Sequence, residues 1–420
     1  MKSMLIALKK RLYLFGASYF MFWSKLSLRR WNPRVIVVTG SVGKTTLLHI
    51  LEAQFGSRAR LSHHANSAYG LAFDVVGLRG ITGSRLKWLY LTLAVPLKSL
   101  YFRHHQEFYV AEVDADRPHE AEKIGKWLKP EVVLWVSSEH SHAINYPIRP
   151  GVDVRQQIAE EYAKLAHLAS KLIIYDQDNS FMQGLLSDSN VTLSGVKKTD
   201  VQNYKVTSRN SSFKIAGQIY EFAQPMPEST ALQLLMALKL LSYLNIQPVQ
   251  DLKNLTMPPG RSNYFDGVNG LQIIDSSYNA HNASVQTMVD MLSKINHKPK
   301  WLVLGDVIDQ GVFEAEEHMQ LAEYLSHQKL DKIILIGRRT HNYVLPVLKK
   351  SGIASESFRW PKEALEYLKK NLTGKEVVLF KGSQFLEGII KHLLANPADE
   401  QYLCRREPAA QKQRQHYGVG

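Results

Sequence analysis

The sequence predicts an α/β fold in two successive parts, a central domain with a mostly parallel sheet and a C-terminal doubly wound, Rossmann-like domain. Three observations carry that reading. The apolar β-branched run Val35-Ile36-Val37-Val38 feeds a glycine loop, Gly40-Ser41-Val42-Gly43-Lys44-Thr45-Thr46, at the mouth of a helix. The runs Tyr109 to Val113 and Val132 to Val136 are apolar with little polar alternation, the pattern of strands covered on both faces. After a Pro-Gly turn at Met257-Pro258-Pro259-Gly260-Arg261, strand and helix patterns alternate a second time.

The elements follow in order. Residues 1–32 form a basic, aromatic segment in which the apolar run Leu12 to Trp23 lies between Lys9, Lys10, Arg11 and Lys25, Arg29, Arg30. That run is about half the ~20 residues a spanning helix needs, and no small-residue cleavage site follows it. It reads as an interfacial helix with Tyr19, Trp23 and Trp31 at headgroup depth, or else as a helix packed on the protein's own surface. Residues 33–256 form the central domain, of the P-loop ATPase type. Gly40 and Gly43 let backbone N–H groups converge on phosphate oxygens, and the helix N-terminus adds partial positive charge. Lys44 offsets β/γ-phosphate charge and a following hydroxyl holds Mg²⁺. The loop is the short G-x-x-G-K-T-T form, with Val38 where the strict pattern has glycine.

Leu86 to Phe102, apolar with a break at Pro96, reads as a helix covering the core of the sheet, with a second membrane-facing surface as the alternative. A helix over 154–169 leads to a strand at 172–175, residues 187–218 read as short antiparallel strands, and 230–244 as a helix. Residues 257–394 form the second domain, with strands at 271–274, 301–304, 332–336 and 376–380 and helices at 284–295, 314–326 and 362–370. From residue 395 the chain is basic and patternless and is expected to be disordered.

Composition narrows the function. At 420 residues and 45% hydrophobic, the chain can bury more than one core. The single Cys404 excludes an intramolecular disulfide and a cysteine-rich zinc site, in keeping with a reducing cytoplasm. A net charge of +14 calls for acidic partners. With no nucleic-acid module in sight, phosphorylated small molecules and an anionic membrane surface are the classes that remain.

Taken in order, the Gly40 to Thr46 loop, Asn66 with Gly70, Glu112, His142, Pro259-Gly260-Arg261, Ile274-Asp275-Ser276-Ser277-Tyr278-Asn279-Ala280-His281, Leu304-Gly305-Asp306 and Lys381-Gly382-Ser383 resemble the Mur ligase superfamily. The likeness is greatest to its UDP-N-acetylmuramoyl-tripeptide:D-alanyl-D-alanine ligase branch and covers residues 33–393. It implies an ATP-dependent amide ligase: a carboxylate attacks the γ-phosphate, an acyl phosphate forms, and an amine displaces phosphate. The implied cofactors are ATP and Mg²⁺, and the implied carboxylate is a muramyl peptide or lipid-linked precursor, with peripheral membrane contact and no nucleic acid.

The resemblance also distributes roles. Gly40, Ser41, Gly43, Lys44, Thr45 and Thr46 would bind the phosphates, Thr45 and Glu112 a first Mg²⁺, and His142 a second, with His140 as competitor. Arg261 would reach the nucleotide phosphates and Asp275 the ribose or phosphate region, with Tyr278, Asn279 and His281 in the same loop. Lys381 and Ser383 would face the amine substrate. Transferring charge between two anions is what requires such cations.

Several positions depart from the family. Where it carries a lysine that becomes carbamylated, ungapped counting places Glu160, with Glu161 beside it; a small gap restores Lys164. Either a glutamate supplies the carboxylate directly or Lys164 is modified. On the adenine side Ser229, Thr230 and Gln233 replace the family's His-Asn pattern, leaving Gln233 for a base edge. Ile308-Asp309-Gln310-Gly311 and Gln384 also differ. Members acting on UDP-linked peptides carry a further N-terminal domain, whereas a short segment precedes the ATP-binding strand here, so the UDP handle has no evident receptor. Two other readings remain at this level: a P-loop ATPase or binding protein that kept the scaffold without ligation, and a polyglutamate-type ligase.

Overall fold

The computed structural model describes residues 2–63, 65–80, 85–138, 146, 153–296, 299–308, 310–383 and 385–420, with backbone alone for 2–12, 85, 155 and 312. Its chain divides into two compact units, residues 1–198 with 232–248, and residues 199–231 with 249–420. The chain therefore passes between units after 198, 231 and 248, the last of these ahead of the Pro-Gly turn.

The first unit runs α1 (Lys2–Trp31), β1 (Arg34–Thr39), α2 (Lys44–Phe55), β2 (Ala59–Leu61), α3 (Ala68–Val75), α4 (Arg85–Tyr101), β3 (Phe108–Val113), α5 (Glu120–Leu128), β4 (Val132–Trp135), α6 (Val154–Ala166), β5 (Leu172–Asp176), α7 (Ser180–Leu186) and β6 (Thr192–Val196). The strands form one parallel sheet in the order β2-β3-β1-β4-β5-β6. Every residue of β3 and β4 is buried, as continuous apolar runs between two helical layers must be. From β1 the sheet extends outward both ways, so the crevice for a ligand lies at the C-terminal ends of β1, β3 and β4. Register sets Val38 beside both Glu112 and Leu134.

The place of Trp31 and the packing of α4 depart from expectation in this unit. In α1 the stripe Ala17, Phe20, Met21, Ser24, Ser27, Leu28 is buried at helical spacing, and it continues into Trp31. Trp31 stacks near His104 and Tyr109 and donates its indole N–H to Gln106 O at 2.6 Å, so it is a packing residue rather than a headgroup anchor. In α4, Leu91, Ala94, Val95 and Ser99 are buried, while Leu86, Leu89, Leu93, Leu97 and Leu100 are exposed. That helix carries apolar residues on most sides, and it packs on α1 along one of them rather than on the sheet.

The second unit begins with an antiparallel sheet, β7 (Val201–Val206), β8 (Ser211–Ile215) and β9 (Gln218–Phe222), and the chain then returns to the first unit with α8 (Thr230–Tyr243). There follow β10 (Asn263–Asp266), β11 (Gln272–Ser276), α9 (Asn282–Lys294), β12 (Lys300–Gly305), α10 (Glu314–Ser326), β13 (Lys332–Ile336), α11 (Leu345–Lys350), β14 (Ser355–Phe358), α12 (Pro361–Asn371), β15 (Val377–Lys381), α13 (Leu386–Lys391) and α14 (Pro408–His416). The sheet order is β10-β11-β15-β12-β13-β14, parallel except for the edge strand β10. Separate apolar cores fill its two faces, one around Ile274, Leu304 and Leu379, the other around Ile273, Val303 and Phe380.

The tail expected to be disordered is ordered. Pro397–Tyr402 forms a 3₁₀ turn, α14 follows, and Val419 is fully buried in the second core. Two of its cations are held by one buried acid: Arg405 and Arg414 both pair with Glu387 of α13, at 3.0 and 3.4 Å, and Glu387 has no exposure. A buried carboxylate elsewhere in the fold is what a patternless basic stretch could not reveal.

Candidate active site

In the first unit the glycine loop closes against β4. Gly40 (φ +127°) and Gly43 (φ +87°) hold conformations that favour glycine. A Cβ on Gly40 would lie 2.7 Å from Ser137 N and O, and one on Gly43 would lie 2.6 Å from Gln233 Nε2. Ser41 N donates to Ser137 O at 3.2 Å, Val42 N donates to Ser137 Oγ at 2.7 Å, and the hydroxyls of Ser41 and Ser137 are 2.9 Å apart. Gln233 thus borders the loop from α8. Gly43 caps α2, so the N-terminal N–H groups of that helix, Thr45 and Thr46 among its first residues, open on the same crevice.

Lys44 is nearly buried; its ammonium donates to Gly40 O and lies 3.2 Å from Asp114 Oδ2. Thr45 Oγ1 donates to Glu112 Oε2 at 3.3 Å. Glu112 and Asp114 stand two residues apart across the end of β3, so the two-residue strand period turns both carboxylates to the loop. Asp114 Oδ1 in turn accepts from Tyr162 Oη at 3.2 Å and Ala115 N at 2.9 Å. Asp114 and Ser137 were missed by sequence reasoning. The Glu112-Val113-Asp114 alternation was the available signal for the first; Ser137 enters only through the strand order.

On α6 the candidate residues separate. Glu160 is half-buried and accepts from Gln156 Nε2 at 2.9 Å. Glu161 is buried, accepting from His119 N at 2.8 Å and from Lys164 Nζ at 2.8 Å, while the Lys164 side chain is 43% exposed. Burial, then the charges of Glu161, Asp114, Asp116 and Glu120, push the Tyr146 hydroxyl far above its ordinary value, which locates Glu161 in the same acidic neighbourhood as Asp114. His142 and His140 lie outside the described residues, as do Asp309 and Gln384. Thr45 and Glu112 offer hard oxygen donors side by side, a set that fits Mg²⁺.

In the second unit the residues at the ends of β11 and β15 converge. Asp275 is fully buried, accepts from Ser277 N at 2.9 Å, and has its carboxyl pushed up to about 6 by burial. Lys381 donates to Asn279 O at 2.6 Å; burial lowers its ammonium to about 7, with Arg261 pushing the same way and Asp275 opposing. The Arg261 guanidinium stacks 4.7 Å from the Tyr278 ring. Gly260 (φ +73°) permits this approach, since a Cβ there would meet Tyr278 N at 2.8 Å. Asn279 Nδ2 lies 3.2 Å from His281 Nε2.

Arg405 of the tail holds the same loop, donating to Ser277 O at 3.2 Å and Tyr278 O at 2.6 Å, a contact with no sequence signature. Ser383 Oγ donates to Asp306 O at 2.6 Å, which gives that hydroxyl a structural partner. Asp306 also receives the N–H groups of Arg339 and Thr340 at 3.0 and 2.9 Å. The sequence-selected set in this unit, Arg261, Asp275, Tyr278, Asn279 and Lys381, is therefore one cluster.

Comparison with known proteins bears on the family and the fold. Residues 260–384 match the Mur ligase, glutamate ligase domain. UDP-N-acetylmuramoyl-tripeptide–D-alanyl-D-alanine ligase of Bacillus subtilis (strain 168) is 24% identical over 388 residues, covering 89% of this chain and 79% of the relative. MurF from Acinetobacter baumannii superposes with a TM-score of 0.73 at 19% identity, covering 90% of this chain and 80% of that one. The MurF ligase from Thermotoga maritima in complex with ADP gives 0.69 at 21% identity, covering 91% and 84%. The structural likenesses establish the fold.

Proposed function

We propose that this chain, which has the Mur ligase fold and a Mur ligase C-terminal domain, is an ATP-dependent carboxylate–amine ligase of peptidoglycan precursor assembly. The observation that carries the reading is the loop of the first unit, where Lys44 and the Thr45–Glu112 pair meet at a helix N-terminus. Phosphoryl transfer from ATP to a carboxylate brings two anions together. Lys44 and the α2 N–H groups offset that charge on the triphosphate, and Arg261 is assigned as a further cation for it. Thr45 and Glu112 would hold Mg²⁺, which supplies additional charge neutralisation at the phosphate oxygens when bound.

Attack of the substrate carboxylate oxygen on the γ-phosphorus forms an acyl phosphate and releases ADP. The amine nitrogen then bonds to the acyl carbon, the C–O bond to phosphate breaks, and the amine proton must be taken up. Lys381, neutral over much of the range above pH 7, is assigned to the amine side of the reaction. We assign the carboxylate substrate as a muramyl peptide, nucleotide- or lipid-linked, and the amine as a dipeptide of the D-alanyl-D-alanine kind, by analogy with the relatives' named activity. ATP and these substrates set the site of action in the cytoplasm.

The test is ADP release by the full chain with Mg²⁺-ATP, muramyl tripeptides and D-alanyl-D-alanine. ADP and amide should appear in equal amounts and only when both substrates are present, and Lys44→Ala should lower the rate on the order of 10³-fold. Hydrolysis of ATP that ignores both substrates would instead identify an ATPase that has lost ligation.

A further inference from the structure

The most apolar exposed surface among the described residues is the outer face of α1 and α4. Leu86, Leu89, Leu93, Leu97 and Leu100 are each at least 58% exposed. At 3.6 residues per turn they fall within roughly 80° of arc, so they form one continuous apolar stripe. On α1, Phe15 and Phe22 are exposed at 78% and 66%, with Tyr19 between them on the same side. Exposed apolar surface scattered singly is ordinary; a contiguous helical stripe is a binding surface.

The two helices are fastened together. Tyr19 Oη donates to Thr92 O at 2.9 Å and Ser27 Oγ donates to Phe102 O at 2.6 Å. The Arg30 guanidinium donates to the carbonyls of Ser99 and Leu100, and to that of Phe102 at 3.3 Å, so a cation closes the C-terminus of α4. Phe20 of α1 and Trp88 of α4 both pack edge to face on α3 rings, Phe20 on Phe73 and Trp88 on Tyr69 and Phe73. The stripe is consequently a rigid presentation rather than a loose segment awaiting a core.

Charge selects the occupant. Between residues 1 and 51, and again between 75 and 106, there is no aspartate or glutamate, while Arg29, Arg79, Lys87 and Arg103 are exposed. A second copy of the chain on this face would set cation against cation. No helix among the described residues is long and apolar enough to cross a membrane. We infer that the α1–α4 face docks on an anionic lipid bilayer, with the leucine stripe in the acyl boundary and the arginines and lysines at headgroup level. Docking stands apart from catalysis; that it would bring a lipid-linked muramyl peptide to the enzyme rests on the ligase reading above.

The test uses the full chain with vesicles of phosphatidylcholine alone or mixed with phosphatidylglycerol, at low and high salt. The wild type should sediment with the anionic vesicles, and added salt should release part of it. A Leu89→Glu, Leu93→Glu, Leu97→Glu variant should bind at least about tenfold more weakly, as loss of apolar burial requires, with its unfolding transition retained. Arg29→Glu with Lys87→Glu, which leaves the apolar stripe intact, should lose the preference for anionic vesicles. ATP turnover with water-soluble substrates should be the same in all three proteins. A wild type that ignores vesicles at every salt concentration, or a triple variant that binds as well as wild type, overturns the inference. So does a wild-type dimer that the triple variant abolishes without any vesicle binding. Intact vesicle binding with no substrate-dependent turnover would count against the ligase reading alone.

Discussion

At the scale of single residues, α6 offers the sharpest distinction. Glu161 is buried against His119 N and Lys164, whereas Glu160 sits half-exposed beside Gln156. A carboxylate that serves the site should therefore come from Glu161, and Glu161→Gln should lower turnover and raise the Mg²⁺ requirement while Glu160→Gln changes little, read by rate against Mg²⁺ concentration. Lys164 is already ion-paired to Glu161, and carbamylation would replace attraction with two adjacent carboxylates. Removing bicarbonate should accordingly leave the rate unchanged; rescue by bicarbonate would restore Lys164 as the modified residue. Lys381 makes a second prediction. Its folded pKa of about 7 lies below the usual lysine value of ~10.4, so between those limits the unfolded chain binds more protons. Stability from this group must rise with pH through that window, on the order of a few kcal/mol, and urea midpoints for Lys381→Met should show a flatter rise from pH 7 to 10 than wild type. Asp275, raised to about 6, works in the opposite sense at lower pH, favouring the folded state less as pH climbs from ~4 to 6.

At the scale of elements, legibility followed locality. The glycine loop was readable because strand, turn and helix N-terminus occur in consecutive residues. Strands β11, β12, β13 and β15 were equally readable because each is an apolar run, whereas α11 and the short, polar β14 (Ser355–Phe358) were not. Ser137 and Asp114 were not, since strand order, not sequence distance, brings them to Val42 and Lys44. For α4 the pattern gave a helix but not which side would be covered, because apolar residues occupy most sides. The order of the C-terminal tail was missed for a different reason: it depends on Glu387, a buried partner 18 residues from Arg405 and 27 from Arg414. Removing one member of a buried ion pair strands the other, at a cost of about 3–5 kcal/mol. Arg414→Met should lower the thermal midpoint accordingly, whereas Arg405→Ala should chiefly loosen the Ser277–Tyr278 carbonyls and weaken nucleotide or amine binding. Calorimetry and ligand titration separate the two, and an unaltered midpoint in Arg414→Met would show that the tail is not anchored there.

At the scale of the whole molecule, the Pro-Gly turn at 257–261 is a clear mark in the sequence but not the seam of the packing. Residues 199–231 fold with the second unit although they precede the turn, and the chain visits the first unit again at 232–248 before it returns. The ties are specific. Ser262 Oγ donates to Pro225 O, Lys294 pairs with Glu228 and lies 5.3 Å from the Tyr204 ring, and Val206 packs on the core around Ile274 and Leu304. A chain that leaves and re-enters a unit makes each core depend on segments distant in sequence, so cutting at an attractive linker uncovers apolar surface on the remaining piece. A fragment of residues 257–420 should therefore unfold at a lower urea concentration, and bind a hydrophobic dye more strongly, than the same fragment supplied with residues 199–231 through a flexible linker. Equal midpoints and equal dye binding would mean that β7–β9 contribute nothing to the second unit, and that the turn is after all the physical boundary.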